Sequence, residues 1–210
     1  MDLDTGFRPS RHGFGFANTW RDLLLGMVPS RGRCGGMVFA ALDSFLAGYH
    51  LPQEGRAVTL PAHGTPLARA IWKRQLDSVA VALGENMWRF VRFTYLPSTN
   101  VRGISVATRQ ELLPLFDLMR GGLPVPLGLV SGIGLTQLAH NHQVLAYGAD
   151  FEQTRALVHI YDPNHPRRDD IVLEIPMNPR VGVTEHIGAR EKPWRGAFIE
   201  RYVPAKPITT

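Results

Sequence analysis

Residues 29–49, PSRGRCGGMVFAALDSFLAGY, hold the only cysteine of this 210-residue chain where a Gly-rich turn gives way to a helical pattern. Gly32, Gly35 and Gly36 let the backbone turn tightly and come close to a ligand. From Cys34 onward Met37, Val38, Ala41, Phe45 and Tyr49 recur at helical spacing, which predicts a helix from Cys34 to about Gly48. A thiol at a helix N-terminus meets unpaired N–H groups and the positive end of the helix dipole. Arg31 and Arg33 add charge, so Cys34 is expected below the free-thiol pKa of about 8.5.

Most lone intracellular cysteines are small buried hydrophobes, and a nucleophile needs a base and a group to orient it. Both lie downstream. His142 opens HQVLAYG, which reads as a strand, and VHIYDPN places Asp162 and Asn164 where the next strand runs out into a Pro turn. On a strand His142, Val144 and Ala146 share a face, so His142 is expected at the sheet edge facing the Cys helix. His140 shares that face if the strand begins earlier. Asp162 and Asn164 compete to orient the imidazole, and both are also good turn residues whatever their chemistry.

A Cys at the start of a long helix, a distant His at the start of one strand and an Asp or Asn at the end of the next resemble the papain-like cysteine peptidase superfamily. The third residue sits in a Tyr161-Asp162-Pro163-Asn164 turn, as in its C39-like branch, and on that resemblance Asp162 is preferred and Asn164 is the alternative. GFGFANTW, RCGGMVFAALDSF and NHQVLAYG are also similar to microbial proteins carrying F-x-N and C-G-G-M motifs. The resemblance runs over residues 13–166 by order and spacing of motifs. It implies an α+β fold in which N-terminal helices, including the Cys helix, pack on a C-terminal antiparallel sheet. It further implies a Cys34–His142–Asp162 triad, a thioester intermediate and a peptide or small acyl or amide substrate, with no cofactor. Many members carry an oxyanion-binding Gln six residues before the nucleophile. That position is Val28 here, which leaves the Cys34 N–H plus Asn18 or Arg33 as donors.

Composition narrows the rest. A net charge of +5 invites an anionic partner, but the basic residues are scattered among acids and no nucleic-acid signature is present. No stretch approaches the roughly 18 apolar residues of a membrane span, and residues 1–16 lack a signal-peptide pattern, so a cytoplasmic protein is expected. One cysteine excludes an intrachain disulfide and a Cys-based zinc cage, and the histidines show no ligand spacing, so no metal site is expected.

The expected organisation is one domain over 1–210, with an irregular arm at 1–18, a mainly helical part at 19–122 and a mainly β part at 123–210. Phe7, Phe14 and Phe16 should anchor the arm, and WRDLLLGMV should make a helical turn before Pro29. Thr65-Pro66 starts a second helix that Gly84 should cap, with Trp72, Leu76, Val79 and Leu83 as its apolar stripe. Residues 87–95 read as a further helix or a strand. Thr108 and Glu111 form a capping box, with Pro114 delaying or kinking the helix that follows. Strands are expected at 125–130, 143–147, 157–161, 171–175 and 197–202. The loop at 129–138 and the rings of Phe14, Phe16 and Trp20 are expected to wall the Cys–His cleft, which favours a restricted apolar pocket and narrow specificity.

Overall fold

The computed structural model describes residues 1–24, 28–30, 32–98 and 102–208. In the arm, β1 (Leu3–Asp4) and a single turn, α1 (Pro9–His12), deliver Phe7, Phe14, Phe16 and Trp20 into the core, each at most 2% exposed. These rings are interior packing, and Phe14, Phe16 and Trp20 are not among the residues that line the cleft beside His142. The segment expected to be a helical turn is instead a hairpin, β2 (Asp22–Leu24) with β3 (Val28–Ser30); its middle, 25–27, lies outside the described residues, as does Arg31.

The Cys helix is α2 (Cys34–Leu46), buried on every side from Gly35 to Ser44, which is why its sequence is apolar almost throughout. A Cβ at Gly36 would lie 2.2 Å from the Ile71 carbonyl, so that glycine lets α2 press against α4 (Pro66–Tyr95). A short turn, α3 (Gln53–Arg56), lies in the loop between them. Thr65 caps α4 as expected, its hydroxyl accepting from the Ala68 N–H at 3.3 Å. The buried face of α4 is Leu67, Ile71, Arg74, Gln75 and Ser78, not the stripe through Trp72, Leu76 and Val79; the Leu83 side chain lies outside what is described. That face is polar because it serves α2. Gln75 Oε1 accepts the Gly36 N–H at 2.9 Å, satisfying one donor of the first helical turn, and Arg74 donates to Asp43 at 3.0 Å. Gly84 takes the positive φ of a cap, +84°, yet the helix continues through Tyr95, and Asn86 Nδ2 donates to the Ser78 carbonyl at 2.8 Å.

After α5 (Ile104–Gln110), α6 (Leu112–Arg120) starts beyond the expected capping box, and Pro114 falls in its first turn where a missing N–H costs little. Thr108 and Glu111 form no box; they accept the N–H groups of Ala197 and Ile199 at 2.9 and 3.0 Å.

The strands are β4 (Val125–Val130), β5 (His142–Phe151), β6 (Arg155–Tyr161), β7 (Ile171–Pro176), β8 (Val183–Ile187), β9 (Arg190–Trp194) and β10 (Gly196–Ile199). They pair antiparallel in the order β10-β4-β5-β6-β7-β8-β9, with β1 also on β5, so the fold is α+β. The sheet curls until the Arg195 N–H reaches the Val130 carbonyl at 2.8 Å. Inside the curl, Leu127, Val144, Ile160 and Leu173 pack with Leu115, Phe116 and Met119 of α6. Outside it, Leu145, Tyr147 and Tyr161 pack on α2. The face of β5 turned to the Cys helix is therefore that of Gln143, not of His142 as expected. Among the described residues no helix is long and apolar enough to cross a membrane.

Candidate active site

Cys34 is the first residue of α2, so its N–H has no acceptor within its own helix. The turn before it needs Gly32, whose φ is +107° and whose Cβ position would lie 2.3 Å from the Asn18 amide. Asn18, 6% exposed, fastens that turn: its Oδ1 accepts the Arg33 N–H at 2.5 Å and its Nδ2 donates to Asn164 Oδ1 at 3.4 Å. Arg33 points away from the thiol. Its guanidinium is paired with Asp22 at 2.7 Å, donates to the Ala68 carbonyl at 2.6 Å and lies over Trp20 and Trp72, so it is spent on anchoring the turn and is no oxyanion donor. The Val28 side chain lies outside the described residues.

His142 opens β5, and because it is the first residue its ring can swing past the sheet end toward Cys34, whereas Val144 and Ala146 stay inside the curl. Its Nε2–H donates to Asp162 Oδ1 at 2.6 Å, leaving Nδ1 for the thiol. Asn164 Nδ2 is 3.2 Å from the same nitrogen but is itself a donor, so the carboxylate takes the ring proton. Asn164 instead steadies Asp162, its backbone N–H donating to Oδ1 at 2.8 Å. Burial alone would strip the proton from His142. The Asp162 charge and hydrogen bond, with a smaller contribution from Cys34, override it and raise the imidazolium well above its ordinary 6.5. Burial would likewise raise Asp162, and the His142 charge holds it below the usual carboxylate range. The Trp194 indole lies parallel to the imidazole, 6.1 Å between centroids, and its Nε1–H donates at 2.9 Å to Glu185, a fully buried carboxyl on β8.

The opposite face of β5 presents Gln143. Cys34 Sγ donates to its Oε1 at 3.8 Å, and Ser78 and Gln75 donate to the same oxygen at 3.4 Å. Its Nε2 donates to both oxygens of Glu200, at 2.9 and 3.0 Å. Burial pushes Glu200 up to about 8 against those hydrogen bonds. A cleft of about 410 Å³ opens beside His142, lined by Ser131, Gln137, His140, Asn164, Lys192 and Trp194. The loop after β4, including the 3₁₀ turn Leu135–His140, does wall it, but the lining is an even mixture of polar and apolar surface where an apolar pocket was expected. His140 is exposed at this rim.

Cys34, His142, Asp162, Asn164 and Asn18 therefore converge, and Arg33 does not join them. Gln143, Glu185, Glu200 and Trp194 were not anticipated. Their signal was polarity out of phase: Gln143 inside the apolar run HQVLAYG, and Glu185 at the inward positions of Val183 and Ile187. No family model, no curated protein and no solved structure matches this chain.

Proposed function

We propose that this chain is a papain-like thiol hydrolase or acyltransferase that cleaves an amide or ester through a thioester on Cys34. One observation carries the reading: the buried His142 ring meets Cys34 on one side and the Asp162 carboxylate on the other. Cys34 and His142 act as a thiolate–imidazolium pair, the thiol proton residing on the ring, and Sγ bonds to the carbonyl carbon, whose oxygen becomes an oxyanion. The imidazolium, held charged by Asp162, gives that proton to the departing amine or alcohol as the C–N or C–O bond breaks. Water or an amine, deprotonated by His142, then attacks the thioester, and Cys34 leaves as the thiolate, which restores the pair with the imidazolium. The Cys34 N–H and the Asn18 Nδ2–H not engaged with Asn164 are the oxyanion donors, each worth about 10²–10³ in rate. The cleft beside His142, part polar and part apolar, suits a leaving group that both forms hydrogen bonds and packs against Trp194, in a narrow-specificity enzyme of peptide-like or small amide substrates. A thiol that works only when reduced fits a reducing compartment such as the cytoplasm.

One observation favours a second reading, a catalytically weak binding domain: Gln143 Oε1 accepts the thiol hydrogen and so competes with His142 for it. Incubating the protein with small activated esters and with a mixed peptide pool, read by intact-mass spectrometry, separates the two. A thioester adduct on Cys34 that fails to form in His142→Ala is expected. An unacylated Cys34 with every ester and peptide tried would favour the binding domain.

A further inference from the structure

Glu185 is 0% exposed and has no role in the chemistry above. Its Oε2 accepts from Trp194 Nε1 at 2.9 Å, and Lys192 Nζ stands 4.0 Å from the same oxygen with its chain running out to solvent. Its Oε1 is buried with no hydrogen-bond partner, and so is Asp162 Oδ2, the oxygen of Asp162 that does not bond His142. The two carboxyl groups lie within hydrogen-bonding reach of each other. His165 Nε2 stays 3.8 Å from Asp162 Oδ2, beyond hydrogen-bond distance. Two buried acceptor oxygens side by side are costly, and one proton on either carboxyl turns them into a donor–acceptor pair.

Which carboxyl holds that proton follows from their partners. Asp162 is bound to the His142 cation and to the Asn164 N–H, both of which favour its ionised form. Among the described residues Glu185 has, besides Asp162, the neutral indole in contact, while Lys192 and the His142 charge, which favour its ionised form, stand farther off. We propose that Glu185 is a positioning residue of the acyl-transfer site, a carboxylic acid that donates its hydrogen to Asp162 Oδ2 and so fixes the carboxylate that orients His142. Trp194 completes the brace, holding Glu185 through its N–H and lying along the imidazole with its ring. Burial and the Asp162 charge push Glu185 up to about 7, so the acid form prevails below neutrality. At higher pH its ionisation sets a second negative charge near His142, which tightens the imidazolium's hold on its proton.

The inference rests on the proposed acyl-transfer reading, and two measurements on the full chain separate the two. The His142 ring is titrated by NMR in ¹⁵N-histidine protein, its signal assigned from its loss in His142→Ala, for wild type, Glu185→Gln and Glu185→Leu. Cys34 alkylation by iodoacetamide is timed on the same proteins. In wild type the His142 resonances should inflect near neutrality as Glu185 ionises, and Glu185→Gln should abolish that inflection. Gln, which keeps an N–H for Asp162 Oδ2, should recover most of the alkylation rate that Leu loses, a difference of about tenfold. Indistinguishable His142 titrations in wild type and Glu185→Gln, or equal rate losses in the Gln and Leu variants, would overturn the role. If Glu185→Leu fails to melt cooperatively, the wild-type and Gln titrations alone decide. If His142→Ala is alkylated as fast as wild type, the acyl-transfer reading fails while the NMR inflection still decides the Glu185–Asp162 contact.

Discussion

His142 and Gln143 are adjacent in sequence and lie on opposite faces of one strand, and the thiol of Cys34 stands near both. The inner face is a charged couple: an imidazolium bonded to a carboxylate, backed by Glu185 and Trp194. The outer face is an amide relay from Cys34 through Gln143 to Glu200, whose hydrogen bonds run to the amide of Gln143. A buried acid stays ionised where a cation pairs with it and takes up a proton where it meets only an amide. On the proposed acyl-transfer reading proton traffic therefore belongs to the inner face, and the outer face holds the thiol and the strand in place.

The inner couple is the place to break this contrast hardest. Asp162→Ala strands a buried imidazolium and removes the acceptor for the Asn164 N–H, and should cost about 3–5 kcal/mol in urea unfolding. His142, with its proton held above the ordinary value, contributes stability fully below about pH 6.5 and loses it at high pH. Asp162, held low, contributes above its ordinary 3.8 and loses it in acid. The deficit should thus be largest near pH 4–6.5 and shrink toward pH 10.

The outer face should respond with the opposite pH dependence. Glu200 keeps its proton up to about 8 when folded and releases it near 4.5 when unfolded, so wild type loses stability as pH rises through that window. Glu200→Gln carries no such penalty and should be more stable than wild type by about 2–4 kcal/mol at pH 9, at about 1.4 kcal/mol per pH unit of the window, with little of that gain at pH 4. Denaturation curves at the two pH values check it. A smaller change sharpens the division of labour: Gln143→Leu leaves Glu200 without its donor and should cost about 1–2 kcal/mol in thermal or urea unfolding.

The strands at 125–130, 157–161 and 171–175 were legible because both faces or one face of each is apolar at the right period, and the Cys turn because its glycines and thiol stand together. The strands β8 and β9 were hidden, since VTEHI interrupts its apolar residues with Glu and His, REKPW puts charges at three of five positions, and four of the five β9 residues are exposed. The hairpin at 22–30 was hidden by an apolar run that suits either period. The buried face of α4 was misread for a related reason: Arg74, Gln75 and Ser78 are buried by what α2 and Gln143 require of them, and hydrophobicity carries no trace of that. In the site, spacing identified the groups that meet the imidazole. It was silent on Glu185 and Trp194, which reach His142 only because the sheet curls, and it gave Arg33 a freedom that Asp22 removes.

The dependence of Cys34 on His142 is most directly tested by the pH profile of Cys34 alkylation in wild type and His142→Ala, with the adduct located by mass spectrometry. Wild type should react at least about 10²-fold faster than the variant at pH 6, and its rate should persist on the acid side where that of the variant has fallen away. Superimposable profiles for the two proteins would contradict it.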